Sequence, residues 1–446
     1  MQSSKFFIVK ALLIFLIFLS FFLGFYLREN AVGGGPDFYN FTWPVIQSFK
    51  EDFIYTIKDY GTFGEGSYPL FHIINAYLNP FSDHDLSFQL SITIISFLTF
   101  FIFSLALKKN FPNANFIDLL LLSSVILVMP FFRTSAFWGQ TENFGWLFLI
   151  LAIYFFLEIK QNLFEANTKK NIFYIILFCL FSALALYTRQ FLVFLPISYL
   201  LYLTFFGHDK KTVILSVIFF AFLSIPGLLL LISWGGLYDV NNFPSYFETL
   251  VNPIFILKNI PILLSYIGFY LFPIIIVELL NSDLKTLFQK YFAGFILTFS
   301  LLLILSHLNF LNYLAEYEIG GGAILKLNYL IQKQNYFLLL FFSSIGMSIL
   351  VRIINEDVKN NLILLMPPLL IIGCANILYQ EYVEPLILIL FFLLVQTNLH
   401  KTYFKKIFLS NIILLSYFSI YLFGSIYFKH FRFDSFEKWL MYLNTQ

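Results

Sequence analysis

Residues 6–27 read FFIVKALLIFLIFLSFFLGFYL, a run whose single charged side chain is Lys10. About 20 apolar residues in helical form are enough to cross the roughly 30 Å hydrocarbon core of a bilayer. The run is too long for the apolar part of a signal peptide, and no small-residue cleavage site follows it. It therefore reads as a retained anchor. The rest of the chain repeats the pattern. Further apolar segments lie near residues 87–107, 117–132, 143–156, 172–187, 191–206, 213–233, 260–280, 291–307, 336–351, 361–378, 386–395 and 407–428. With 59% hydrophobic residues, 12% charged residues and a mean hydropathy of +0.82, a soluble fold would lack the charge to cover its surface. The expected fold class is all-α, a polytopic membrane protein with about 13 transmembrane helices in one integral membrane domain, residues 1–446.

Lys and Arg in short loops are retained on the cytoplasmic side. Lys108/Lys109, Lys160/Lys169/Lys170, Lys210/Lys211, Lys285/Lys290, Arg352/Lys359 and Lys401/Lys405/Lys406 fall at alternate turns, and all lie inside if the N-terminus is inside. An odd number of spans then puts the tail, residues 429–446, outside. A net charge of +2 points to no nucleic-acid partner. Cys179 and Cys374 sit in apolar spans, too few for a disulfide framework or a metal site. No cofactor is called for, and His72 and His84 lack metal-ligand spacing.

The outer segments hold the unusual polar residues. The first outer loop, 28–86, carries Glu29, Asp37, Glu51, Asp52, Asp59, Glu65, Asp83 and Asp85 against Arg28, Lys50 and Lys58. In it, Phe41, Val45, Phe49, Phe53 and Ile57 recur every four residues, one face of a helix. Thr42 and Pro44 suit its start. This predicts a helix lying in the membrane surface, with a second over 69–78. Asp37 follows Gly33-Gly34-Gly35-Pro36, where glycines allow a sharp turn and a close approach and proline stiffens the chain. A carboxylate held there is placed to act as a base, or to cap the next helix.

The second outer loop reads Arg133-Thr134-Ser135-Ala136-Phe137-Trp138-Gly139-Gln140-Thr141-Glu142-Asn143, and the third is the tight turn Thr188-Arg189-Gln190. An arginine between apolar spans faces a polar cavity, an anion or the lipid headgroups. A late turn, Gln380-Glu381-Tyr382-Val383-Glu384-Pro385, adds two acids and an aromatic. Longer outer loops run over 234–258 and 308–334, the latter with Gly320-Gly321-Gly322, a turn type that can cradle a phosphate. His72 suits packing or catalysis equally. Trp43, Tyr68, Trp138, Trp234 and Tyr382 suit an interfacial belt or a sugar-stacking role.

These motifs resemble those of the GT-C membrane glycosyltransferases. Asp37 stands where those enzymes carry an acid just after the first span, and Tyr68-Pro69-Leu70-Phe71-His72 is similar to their proline-centred stretch. Trp138-Gly139-Gln140-Thr141-Glu142 resembles their tryptophan-glycine-glutamine-acid stretch. Within the superfamily, Arg189-Gln190 and the Glu381 turn are most similar to the dolichyl-phosphate-glucose-dependent α-1,2-glucosyltransferase family. Two departures stand out: Asp37-Phe38 replaces an acidic pair, and the late turn lacks an arginine.

The resemblance implies a GT-C-like fold and a hexosyltransferase that moves a sugar from a polyprenyl-phosphate donor to an acceptor hydroxyl on a glycan or lipid-linked glycan. Asp37 would be the catalytic base, with inversion at the anomeric carbon. Arg133, Gln140, Glu142, Arg189, Gln190, His72 and Glu381 would bind substrate, with Arg133 or Arg189 stabilising the leaving phosphate. Membrane lipid would surround the chain, and a bacterial inner membrane is favoured over the ER. Pro226, Pro261 and Pro273 would open a groove for the lipid tail or simply kink their helices. The rival classes are a lipid or ion transporter or flippase, and a polysaccharide polymerase or ligase. A transporter would keep charges near mid-membrane and show repeated halves.

Overall fold

The computed structural model describes residues 2–31, 33–63, 67–162, 168–206, 210–234, 253–307, 311, 322–331, 336–375 and 378–430. Most of the outer loops over 234–258 and 308–334 and nearly all of the C-terminal tail lie outside the described residues. Among the described residues there are helices and no strands. Among the described residues nine helices are long and apolar enough to cross a membrane, or up to eleven if each of two bent pairs is one span. Such a set is compatible with a multi-pass membrane protein.

The expected span at 117–132 is the first half of a bent pair, Phe116–Val128 and Pro130–Phe137, turned by 72°. The break sits at Met129, in extended backbone before Pro130, where a proline disfavours helix in the residue ahead of it. The expected span at 386–395 likewise belongs to Gln380–Leu393 and Asn398–Lys405, bent by 92°. There Thr397 is extended, and its side chain accepts from the Leu399 N–H to start the new helix. The span read at 191–206 matches the shorter apolar helix Gln190–Phe205, and that read at 361–378 overlaps Val358–Gly373, with residues 376–377 outside the described residues. Pro226, Pro261 and Pro273 lie inside helices that run on through them.

The chain divides into two compact units. One comprises Met1–Glu158, Ala183–Gln190 and Leu414–Gln446, the other Ile159–Ser182 and Phe191–Ile413. In the first, aromatic edges interlock: Phe18 meets Phe97 at 4.7 Å between ring centres, and Phe71 meets Phe144 at 5.0 Å. Polar side chains bond across helices, as an apolar surround demands. Asn143 donates to Ser96 Oγ at 2.8 Å and to the Phe132 carbonyl at 3.0 Å. At the ends expected to lie inside, Lys10 pairs with Asp118 at 2.6 Å and Lys109 with Glu158 at 2.8 Å.

The first outer loop departs from its periodicity. Helix begins at Gly34, not near Thr42, and continues through a π-turn at Phe38–Thr42 into Trp43–Glu51. The π-turn lies just ahead of Pro44: the Trp43 N–H reaches back five residues to the Phe38 carbonyl, a widened turn that gives room before a ring that cannot donate. The four-residue stripe is then cut at Asp52, which is extended and caps Phe53–Lys58 by accepting from the Tyr55 N–H at 2.9 Å. Val45, Ile46 and Phe49 are buried under protein, against Tyr60 and the helix Leu70–Tyr77, while Phe41 and Phe53 are exposed.

In the second unit, helices Pro253–Leu279 and Phe337–Glu356 cross at Gly268 and Gly346. A Cβ on either glycine would collide with the other helix's backbone, at the Phe342 and Leu264 carbonyls. Small residues permit this approach, which in an apolar surround is the main source of helix association. Ser343 donates to the Pro261 carbonyl at 2.6 Å beside it. We expect Gly346→Ala to cost about 1–3 kcal/mol by forcing the pair apart. Gly424→Ala, which meets nothing within 4 Å, should stay within about 0.5 kcal/mol. Unfolding curves in detergent would check the contrast; equal effects would contradict the crossing.

Candidate functional site

The end of the first unit expected to lie outside is organised by the exit from the first helix, Gln2–Tyr26. Its last turn closes with the Glu29 N–H on the Gly24 carbonyl at 3.0 Å and the Arg28 N–H on the Phe25 carbonyl at 3.1 Å. This is a Schellman stop, with Arg28 in the left-handed conformation, φ 55°. The turn sends Glu29 into the bundle, where its carboxylate accepts from Arg133 Nε at 2.7 Å.

Arg133 is 1% exposed. Besides Glu29, it donates to the Ser20 carbonyl at 2.7 Å, to Ser20 Oγ at 3.3 Å and to the Leu127 carbonyl at 3.2 Å. Its guanidinium ties the first helix to Pro130–Phe137. That differs from an arginine facing lipid headgroups or a solvent-borne anion, because four protein contacts at full burial satisfy it internally.

Past Glu29 the backbone is clasped by the second outer loop. The Ala31 N–H donates to Thr134 Oγ1 at 2.9 Å, Trp138 Nε1 donates to the Glu29 carbonyl at 3.1 Å, and Gln140 Nε2 donates to the Gly34 carbonyl at 3.3 Å. The indole of Trp138 lies against the glycines. A Cβ on Gly34 would come within 2.7 Å of Thr134 Cγ2 and 2.9 Å of the indole, and one on Gly35 within 3.1 Å of the indole. The glycine run thus makes room for Trp138. Gly33, at φ 40°, turns the chain into the helix that carries Asp37.

Asp37 is exposed and sits in helical backbone one turn in, its N–H bonded to the Gly33 carbonyl at 3.0 Å. Gly33 occupies the capping position, so Asp37 is not the helix cap. Two residues on, the Tyr39 hydroxyl donates to Asp85 at 3.1 Å. Burial and then the Asp85 carboxylate push the Tyr39 pKa up, while Arg28 pulls it down.

Glu142 is buried, accepts from Ser135 Oγ at 3.2 Å and forms an ion pair with Arg189. Gln190 is half-buried and opens a short 3-10 turn, Gln190–Val193. His72 is fully buried, with the Tyr60 hydroxyl 2.9 Å from its Nδ1. Tyr68 is buried with its ring beside Tyr187, and burial pushes its pKa up. Asp83 is held below the usual carboxylate range by the Lys50 ammonium, 2.8 Å away. Among the described residues no group of three or more His, Cys, Asp or Glu is gathered as metal ligands would be.

Glu381 belongs to the second unit and is half-exposed. Its neighbours are the buried ones. Gln380 donates to the Tyr270 hydroxyl at 2.6 Å and accepts from the Ala323 N–H at 2.7 Å, and Glu384 accepts from Tyr270. The backbone just after Gly322 is therefore engaged by a side-chain amide. Gly320 and Gly321 lie outside the described residues. In the sequence Gln380 and Glu384 stand out only as members of the late turn, although their four-residue spacing puts them on one side of it. Arg28 and Glu29 likewise count there only among the first loop's charges, an adjacent pair of opposite charge that looks self-compensated but is split by the Schellman turn.

Compared with family models, curated proteins and solved structures, the chain matches none.

Removing one partner of the Glu29–Arg133 pair strands a buried charge. We expect Arg133→Ala to cost about 3–5 kcal/mol, and Glu29→Gln with Arg133→Met to recover most of that loss. A double-mutant cycle on thermal unfolding in detergent measures the coupling. A coupling near zero would show that the two side chains do not depend on each other.

Proposed function

We propose that this chain is a membrane glycosyltransferase of the GT-C type. It moves one sugar from a polyprenyl-phosphate donor to a hydroxyl of a glycan or lipid-linked glycan, on the outer face of a membrane, with a bacterial inner membrane favoured. The observation that carries the reading is the clasp. Trp138 and Gln140 grip the glycine turn just beyond the first apolar helix and leave Asp37 exposed on helical backbone directly ahead of a π-turn. A base needs a fixed position within about 3 Å of the hydroxyl it deprotonates, and π-turns inside helices recur at functional sites.

In the proposed step the acceptor hydroxyl gives its proton to the Asp37 carboxylate. Its oxygen forms a bond to the anomeric carbon from the face opposite the phosphate. The carbon–oxygen bond to phosphate breaks, the electron pair leaves with the polyprenyl phosphate, and the anomeric centre inverts. Arg189, held by Glu142, remains a candidate to face the developing charge, with Gln140 and Gln190 on the flanking turns. The full burial of Arg133 and His72 favours roles in holding the site together. Asp37→Asn keeps size and one oxygen but cannot take the proton, so transfer should fall on the order of 10²–10⁴-fold with folding unchanged. Assays in native membranes with a panel of polyprenyl-phosphate sugars would test it. Near-normal turnover in that variant would remove Asp37 from the chemistry.

The finer topology belongs to the same proposal. Thirteen crossings arise if the nine long helices, the two bent pairs and the two shorter apolar helices each cross once. A 16-residue helix such as Val358–Gly373 spans about 24 Å, which a locally thinned bilayer accommodates. With the N-terminus inside, Asp83→Cys should label with a membrane-impermeant maleimide in intact cells and Asn113→Cys only after permeabilisation. Cys179 and Cys374 are buried and should give little background. Labelling of position 113 from outside would invert the map.

A further inference from the structure

Among the described residues, arginine follows a rule with one departure. Of the four described arginines, Arg133 pairs with Glu29, Arg189 with Glu142, and Arg352 with Glu278 and Glu356. Arg28 has no carboxylate at ion-pair distance among the described residues. Its Nη1 donates to the neutral amide of Gln89, a fully buried residue, and its guanidinium lies 5.0 Å from the centre of the Trp138 ring. The Tyr39 hydroxyl, which donates to Asp85, is also hydrogen-bonded by the Arg28 guanidinium. A guanidinium has five N–H donors in a rigid fork. Here an amide, a phenol oxygen and an aromatic face orient that fork, and among the described residues no carboxylate lies at ion-pair distance to neutralise it.

The backbone adds a second, independent observation. Arg28 is the one non-glycine with positive φ among the described residues. It occupies the helix-stop position where glycine is usual, because a Cβ in left-handed backbone costs roughly 1–2 kcal/mol. Strain of that kind persists where the position of the side chain matters. Tyr39 and Trp138 also link Arg28 to the Asp37 turn: Tyr39 lies two residues beyond Asp37 on the same helix, and Trp138 packs on Gly34 and Gly35.

We infer that Arg28 is a binding residue for a phosphate oxyanion at the outer end of the first helix. The site stands on the geometry alone. Naming its anion as the donor's phosphate, with Arg28 holding the group that leaves in the proposed transfer, rests on the glycosyltransferase reading. Planar bidentate recognition of phosphate is what a guanidinium does better than an ammonium, so Arg28→Lys should not fully substitute.

The test uses the full chain in phosphatidylcholine nanodiscs, with binding of radiolabelled farnesyl monophosphate and inorganic phosphate measured on the wild type, Arg28→Gln, Arg28→Lys and Arg28→Gly. Loss of charge-assisted bonds worth about 1.5–3 kcal/mol corresponds to about 10- to 150-fold weaker binding in Arg28→Gln and Arg28→Gly. Arg28→Gly relieves the left-handed backbone and should unfold at or above the wild-type midpoint, which separates lost binding from lost folding. Binding of farnesyl phosphate alone identifies a lipid-linked phosphate. Comparable Arg28-dependent binding of inorganic phosphate identifies a free one. Affinities within about twofold of wild type in both neutral variants, or equal competition by farnesol, overturn the site. If wild type transfers no sugar yet phosphate binding still depends on Arg28, the transferase reading fails and this site stands. If Arg28→Gln binds and transfers normally, the site fails and that reading stands.

Discussion

A guanidinium at 1% exposure in an apolar bundle has to be matched where it lies, and the matching of Arg133 sets the outer end of the first unit. Glu29 supplies the charge and Ser20 and Leu127 the neutral acceptors. To deliver Glu29 inward, the first helix must stop at Arg28 and reverse. That reversal presents the Glu29 carbonyl to the Trp138 indole and brings the following glycines beneath the same ring. The location of Asp37 is a consequence of the chain, because it is the first acidic side chain after that clasp.

The same constraint recurs away from the site. Glu278, 1% exposed, receives Arg352, the Tyr291 hydroxyl at 2.6 Å and Lys290 at 3.3 Å, and Glu356 accepts from the Asn398 N–H at 2.6 Å. Lys10 with Asp118 and Lys109 with Glu158 do this work in the first unit. Burying ions is unfavourable without a partner at the spot, so each pair fixes which helix ends meet. Such pairs specify register between helices whose apolar faces are otherwise interchangeable.

Legibility in the sequence followed the range of the interactions. Each of the apolar segments read from residues 6–27 onward overlaps described helix, because backbone satisfaction in an apolar chain is a local matter. The segment at 117–132 is broken at Met129, and those at 361–378 and 386–395 leave helix after Gly373 and Leu393. The bend at Met129 was in principle readable from Pro130. The break at Asp52 was hidden by the four-residue stripe through Phe49 and Phe53, since periodicity records which residues are apolar and not whether one aspartate will cap a new turn. At the candidate site, the glycines before Asp37 indicated a close approach. That the approaching group is Trp138, about a hundred residues on, was not encoded in any local pattern.

By itself, then, the sequence determined a helical, apolar chain, segments able to span a bilayer, and the gathering of its unusual polar motifs between those segments. Those properties depend on composition and on contacts within a few residues. Only the tertiary structure decided which charges are spent on one another. Arg133 and Arg189 look alike as isolated arginines between apolar runs, and Arg28 looks compensated by the adjacent Glu29. In space Arg133 pairs with Glu29, Arg189 with Glu142, and Arg28 with the uncharged Gln89, Trp138 and Tyr39. Those pairings join residues from opposite ends of separate helices, and Coulomb energy depends on distance in space, which sequence separation does not report.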